Sequence, residues 1–438
     1  MEPKNELNIK GQVVYKSKSL AEYEELNARW NIDAVNNPSV IVVPNDTDDV
    51  VSAVNYAREN NLEIAVRCGG HSTQSVTEGG LIVDLRRLRT VKVDTETDTC
   101  LVEGGCLLGD VDRETAKYGK AIPFGHVSHT GVGGLVLGGG IGNLSRIYGL
   151  SVDNLLSVEM VLATGKVVKA SNDENSDLFW AIRGGGGNFG VVTKFWFKLN
   201  PCKDVLVGTF VYPVPVAREA LLEIGRQQDA NAIPNELSYA VSITPNGVVV
   251  MPLWIGDVDQ GKVYLEAFSK IGSPVVSVIR TAPFVQIQSQ IDDKAPHGLR
   301  YYQKGPFLKS NLTAEIVDSI LDSYQKHPTK ICSILLTHLQ GAVQNYSKTD
   351  TAYHFRDASY QIIFMSILPD QKDRQAVIDW TKESIQKIEP HLYKEYINTT
   401  GQNYKIEEVF GVNYPRLLEI KKKYDPENFF RACANIKE

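Results

Sequence analysis

The segment Arg67-Cys68-Gly69-Gly70-His71-Ser72 holds the first residues whose types and spacing suit chemistry. Paired glycines let a backbone come close to a ligand. Successive N–H groups at such a turn can face one concavity and hold a diphosphate, and Arg67 would add charge. Taken alone, the segment fits a tight turn bearing a surface histidine better than a ligand loop. A second cluster changes that balance: Gly131, Gly133, Gly134, Gly138, Gly139, Gly140 and Gly142 fall within twelve positions. Each ordered glycine costs roughly 0.5–1 kcal/mol relative to alanine, so this density points to backbone lying against an extended cofactor. The alternative is a set of tight turns and bulges. A third run, Gly185-Gly186-Gly187-Asn188-Phe189-Gly190, matches GxGxxG literally. A dinucleotide fingerprint needs a strand before it and a helix after it. Here a helix is expected before it and a strand after it, so nicotinamide-dinucleotide binding in that mode is rejected.

These clusters need elements to position them. Residues 40–44 read as a buried strand, and residues 47–60 have helical periodicity with Val50, Val51, Val54 and Ala57 on one face. Strands are expected at 62–67, 81–85 and 99–104, and a helix at 107–118. Residues 156–170 read as a hairpin turning at Thr164-Gly165. A helix at 177–183 and a strand at 191–199 flank the third glycine run. Beyond about residue 206 the glycine density drops. Strands at Gly247–Trp254, 332–339 and Tyr360–Ile367 alternate there with helices at 217–228 and 314–326. This is an α+β pattern with an antiparallel sheet. Residues 409–430 read as a helix that Asp425-Pro426 brings to an end. No internal repeat or low-complexity segment is visible.

The 438 residues are too many for one ordinary core and suit two domains. A formal net charge of -6, without a long run of one sign, argues against nucleic acid or an anionic membrane as partner. The N-terminal stretch shows no basic and apolar leader pattern, and no apolar run is long enough to span a bilayer. A cytoplasmic location is therefore expected. Six cysteines without a CxxC pair are expected to be free thiols. His126 and His129 stand three apart without further ligands in sequence, so no metal site is expected.

The glycine clusters, together with Asp153-Asn154, residues 177–192, 413–417 and 424–431, resemble the FAD-linked oxidases of the vanillyl-alcohol oxidase/p-cresol methylhydroxylase superfamily. Within it the chain is similar to the berberine bridge enzyme-like branch, which includes glucooligosaccharide oxidases and 6-hydroxynicotine oxidase. The resemblance implies a two-domain α+β, PCMH-type fold. Residues 1–205 would form the FAD-binding domain (core about 37–204), residues 206–395 the substrate domain, and residues 396–438 a segment returning to the FAD domain. It implies FAD held by Arg67, Cys68, Gly69, Gly70 and Ser72, by Thr130, Gly131, Gly133, Gly134, Gly140 and Gly142, by Gly187, Asn188, Gly190, Val191 and Val192, and by Asn435. His71 would carry the flavin 8α carbon covalently through a ring nitrogen.

The chain also departs from that pattern. Many members add a cysteine link four residues before the GVGG run, where this chain has Val127, so a single bond through His71 is expected. A tyrosine common in GGGYG is Ile141 here, and a YxNY element is reduced to Tyr396-Ile397-Asn398-Thr399. The strand position that often carries Glu or Gln falls nearest Ile363, after Arg356. The usual base therefore does not carry over. Tyr360, Tyr396, Tyr414 and His338 are the candidates for it, each also readable as a packed aromatic or surface group. Thr130, close to valine in shape, favours access of oxygen. The expectation is an oxidase taking hydride from an alcohol or amine C–H of a small secondary metabolite and releasing hydrogen peroxide. A carbohydrate oxidase giving a lactone, and a flavin-bearing binding or resistance protein, are the alternatives.

Overall fold

The computed structural model describes residues 6–34, 36–229, 233–329, 331–368, 370–399, 401 and 404–437; the first five residues of the N-terminal stretch lie outside these. A four-stranded sheet opens the chain, in the order Gln12–Tyr15, Val40–Val43, Leu81–Asp84, Ile64–Arg67. Its last three strands run parallel. A parallel sheet must be covered, and helix Thr47–Glu59 buries Val50, Ala53, Val54 and Ala57 against it. That helix starts where the Asp46 side chain accepts the Asp49 N–H. The turn after Ile64–Arg67 is the Gly69-Gly70-His71 segment, so the first strand pair delivers the first cluster. A five-stranded antiparallel sheet follows, in the order Val91–Asp94, Thr99–Glu103, Val191–Lys198, Leu155–Val161, Val167–Ser171.

Residues 204–395 build a nine-stranded antiparallel sheet. Its order is Val276–Pro283, Asp204–Tyr212, Gly247–Trp254, Leu237–Thr244, Cys332–His338, Tyr360–Ile367, Pro306–Leu308 and Leu392–Glu395, with Tyr301–Lys304 also on Tyr360–Ile367. Side chains alternate across it with period two. Tyr239, Val241, Ile243, Ile334, Tyr360, Ile362 and Phe364 enter a core with helices Val214–Asp229, Ala314–Gln325 and Arg374–Lys387. Ala240, Ser242, Thr244, Ser333, Leu335, Thr337, Gln361, Ile363 and Met365 face the other way, into a cavity.

Two buried devices tie the pieces together. Arg356 grips Asp153 with two bonds of 2.7 and 2.8 Å, joining the region of the nine-stranded sheet to the first half. Breaking a buried pair of this kind costs about 3–5 kcal/mol. Lys421 donates to the Asn188 carbonyl, the Asp425 carboxylate and the Phe430 carbonyl at 2.6–2.8 Å, which fastens the C-terminal segment beside the third glycine run.

One expectation changes. Residues 409–430 do not form one helix: Ile406–Phe410 and Tyr414–Tyr424 are separated by a turn at Gly411, whose φ of +51° is left-handed and whose absent Cβ would strike the His354 ring. The glycine-rich residues 125–150 include helices Val132–Leu137 and Ser145–Tyr148. The six cysteines are free thiols. Among the described residues no helix is long and apolar enough to cross a membrane.

Candidate active site

A cavity of about 890 Å³ lies between the loops of the first half and the inner face of the nine-stranded sheet. Its first wall is the turn Cys68-Gly69-Gly70-His71-Ser72 with Thr130, Gly131, Gly133 and Gly134. The two loops touch backbone to backbone. A Cβ on Gly69 would lie 2.4 Å from the Gly131 nitrogen, and one on Gly131 would lie 2.4 Å from the Cys68 sulfur. Gly70 turns the chain at φ +71°, a left-handed value that favours glycine. Gly134 and Gly187 differ: a Cβ on either would meet nothing within 4 Å, so their bare backbone borders open space. Gly190 and Val192 continue that wall, and Ala432, Cys433 and Ala434 close it. Burial pushes the Cys68 thiol up to about 12, so it is no nucleophile.

His71 lies at the end of this wall, stacked on Trp30 with ring centroids 4.7 Å apart. Its Nε2 is 2.9 Å from His129 Nδ1. Burial, and then the neighbouring His129 and His297, pull its pKa down to about 3, so the imidazole is neutral. Nitrogens of the three histidines lie within 4.8 Å of one another. Two nitrogens on a tetrahedral metal at ~2.0–2.1 Å bonds stand about 3.3 Å apart; the 2.9 Å separation of His71 and His129 is a hydrogen bond.

Arg67 lines the cavity, but its charge is largely spent: Nε donates to Asp84 at 2.8 Å, and a terminal nitrogen donates to Asp84 and to the Leu26 carbonyl. Arg86 shares the same carboxylate. One nitrogen of Arg67 stays buried without a partner. Arg29, which no sequence pattern singled out, supplies the missing charge. It is buried in the wall, bonds the Ser72 and Ser75 carbonyls, makes no ion pair among the described residues, and leaves its Nε unpartnered. Two orphaned guanidinium nitrogens beside a glycine cradle fit a diphosphate.

Several expected cofactor residues have other duties. Gly140 and Gly142 do not line the cavity; a Cβ would meet Ser151 Oγ at 2.0 Å and the Phe124 carbonyl at 1.8 Å. They are packing glycines. Asn188 is fully buried; its side chain bonds the Gly185 and Ala434 carbonyls and the Ile436 N–H, holding the tail rather than a ligand. Val191 belongs to the core under the parallel sheet. Asn435 does not line the cavity, though its Oδ1 is buried and unpartnered.

Of the four base candidates, the cavity takes one. Tyr396 lines it, buried, with its hydroxyl accepting the Gly140 N–H at 2.9 Å and the Asn398 amide at 2.8 Å. Tyr360 points to the opposite face and bonds the Tyr239 hydroxyl at 2.7 Å. His338 is buried beside Arg146 on that same face, and Tyr414 donates to the Lys437 carbonyl away from the cavity. The strand period explains the miss: Gln361, one residue on, is the side chain that faces inward. His126, noted in the sequence only for its spacing from His129, also lines the cavity, between Asn143 Oδ1 at 3.1 Å and Thr337 Oγ1 at 3.2 Å, and burial lowers its pKa, keeping it neutral.

The comparisons with known proteins agree with this geometry. Residues 38–171 match the FAD binding domain family, and residues 395–437 match the family described as berberine and berberine like. A FAD-linked oxidoreductase of Dictyostelium discoideum is 48% identical, over 97% of this chain and 94% of its own length. The structure of 6-hydroxy-D-nicotine oxidase from Arthrobacter nicotinovorans superposes with a TM-score of 0.87 at 25% identity, covering 99% of each chain. Glucooligosaccharide oxidase from Acremonium strictum, described with a 6-S-cysteinyl, 8α-N1-histidyl FAD, has the same fold. Its TM-score is 0.87 at 24% identity, over 98% of this chain and 97% of its own. The PCMH-type two-domain fold, the FAD-binding segment and the 48% identity together make this chain a member of the berberine bridge enzyme-like FAD-linked oxidoreductases.

Proposed function

We propose that the enzyme is an oxidase that takes hydride from the C–H beside a hydroxyl or amine of a small metabolite and passes the electrons to dioxygen, releasing hydrogen peroxide. Bound FAD supplies the hydride acceptor and the centre at which oxygen is reduced. The turn at 67–72, residues 130–134, Gly187, Gly190 and Val192 would hold it, with Arg29 and Arg67 toward the diphosphate. His71 is the one attachment point in this reading, because Val127 stands where a second link would need cysteine. Thr130 lies in the cavity wall, where a small β-branched side chain leaves room for oxygen.

The observation that carries the reading is the Tyr396 hydroxyl. Its oxygen accepts two N–H bonds, from Gly140 and Asn398, at the edge of the cavity. Burial raises its pKa well above the usual tyrosine range, with those two donors offsetting only part of the rise, so the group is a neutral phenol. Its place at the cavity edge is what would let it exchange a proton with a substrate hydroxyl as hydride leaves the adjacent carbon. Gln361, Thr337 and His126 would orient that hydroxyl.

The sheet face favours an apolar alcohol as substrate. Val249, Met251, Leu335, Ile363 and Met365 line it between Ser242, Thr244 and Thr337. Among the described lining residues there is no carboxylate to hold an ammonium, and the sheet strands offer no aromatic ring on which a sugar could lie. Peroxide release over a panel of aryl and allyl alcohols, amines and oligosaccharides tests this. Alcohols are expected to turn over best, and Tyr396→Phe to lower kcat about 10²–10⁴-fold with flavin content unchanged. Turnover of oligosaccharides alone would return the carbohydrate reading; no peroxide from any class would favour a flavin-bearing binding protein.

A further inference from the structure

The inner face of the nine-stranded sheet carries an apolar row that extends well past the end where Tyr396 lies. Ile363, Leu335, Ser242, Val249, Val211 and Val276 stand opposite one another on neighbouring strands, so one line of side chains crosses the sheet from Tyr360–Ile367 to the edge strand Val276–Pro283. Five strand spacings make that line roughly 24 Å long. Gln361 and Thr337 occupy the adjacent row at its inner end. At its outer end Val276 and Val278 are 38% and 48% exposed. The edge strand also supplies a charge. Arg280 stands opposite Val207 on the same face, lines the same cavity, and makes no ion pair among the described residues.

We propose that the substrate is an amphiphile: an alcohol whose hydrocarbon chain lies along this row and whose far end is a carboxylate held by Arg280. This seat rests on the reading of the enzyme as an oxidase of apolar alcohols, which it narrows. Each part of the face suits one part of such a molecule. Gln361 and Thr337 meet the hydroxyl end. The row between has one hydroxyl, on Ser242, and otherwise aliphatic side chains, the kind of open apolar strip that marks a ligand groove. Each methylene taken out of water there is worth up to roughly fourfold in affinity. A guanidinium can grip a carboxylate with two parallel bonds. No carboxylate lines the cavity among the described residues, so the field at Arg280 draws an anion. A short alcohol would leave both the outer row and Arg280 without a contact.

The test gives the purified holoenzyme ω-hydroxy acids of increasing chain length, each beside its methyl ester, with peroxide release as the readout. For the acids kcat/KM is expected to climb until the chain spans the row, and there to exceed that of the matching ester at least tenfold. Arg280→Glu, at an exposed edge position, is expected to raise KM for the best acid at least tenfold and to leave the ester nearly unchanged. Lys294→Gln, which alters another cation of the wall without an ion pair among the described residues, is expected to change neither. Rates independent of chain length overturn the proposal, as does an Arg280→Glu enzyme that treats acid and ester as wild type does, or a loss that follows Lys294 instead. Binding is read separately. The saturated acid without the hydroxyl, titrated against flavin absorbance, should bind wild type and lose at least tenfold in affinity in Arg280→Glu. If it does so while no alcohol yields peroxide, the oxidase reading falls and the seat stands. If alcohols yield peroxide with no preference for the acids, the seat alone falls.

Discussion

Two glycine clusters stand side by side in this chain and do different work. Gly131, Gly133 and Gly134 lie in the cavity wall, whereas Gly138, Gly140 and Gly142 turn away from it. The second cluster accommodates protein. Asn398 would collide with a Cβ at Gly138, the Tyr353 ring with one at Gly139, and Ser151 with one at Gly140. Tyr396 and Asn398 reach across from the C-terminal part and bond Gly140 N and the Leu135 carbonyl. One cluster thus borders the cavity, and the other seats Tyr396. Glycine marks close approach in both cases; what approaches differs.

Substitutions can break that contrast. The largest effect is expected at Gly131→Val. Its backbone, φ -77° and ψ 133°, tolerates a side chain, but the Cβ would strike Gly69 and Cys68. The two loops must part, and flavin retained per folded chain should fall at least tenfold, read as the ratio of flavin to protein absorbance. Next is Gly140→Ala. A φ of +79° and a Cβ 2.0 Å from Ser151 Oγ predict roughly 2–4 kcal/mol of lost stability in denaturant melts. Flavin per folded chain should stay near wild type, because this position is off the cavity. Equal flavin loss in both variants would erase the distinction between the clusters.

How far the sequence reveals this depends on which signal is local. Helix Thr47–Glu59, strand Tyr360–Ile367 and the turn at Gly165 follow from periodicity, capping and turn chemistry within a few residues. The turn at Gly69-Gly70-His71 is legible for the same reason, since its residues are contiguous. Arg29 is not: nothing near it marks it, and only the folded chain brings it to Ser72 and Ser75. Tyr360 and Gln361 are adjacent, and one step along a strand, which the residue types do not reveal, decides that Gln361 faces the cavity. Gly140 and Gly142 were indistinguishable from Gly131 and Gly133, since composition reports crowding and is silent about what does the crowding. His297 lies far along the chain from His129, so their meeting could not be read from spacing.

The smallest expected effect sharpens the comparison most. At Gly187 a Cβ would find nothing within 4 Å, so alanine leaves the protein's own packing untouched. The melting temperature of Gly187→Ala stripped of non-covalent ligand should match that of wild type. If the cofactor reaches this wall, the added methyl takes space that the cofactor needs, and non-covalent FAD affinity, measured in a His71→Ala background by fluorescence quenching, should fall several-fold. Unchanged affinity would mean that the cofactor stops short of Gly187 and that the open backbone there faces solvent or substrate. The cofactor wall would then be confined to the interlocked pair of loops at 67–72 and 130–134.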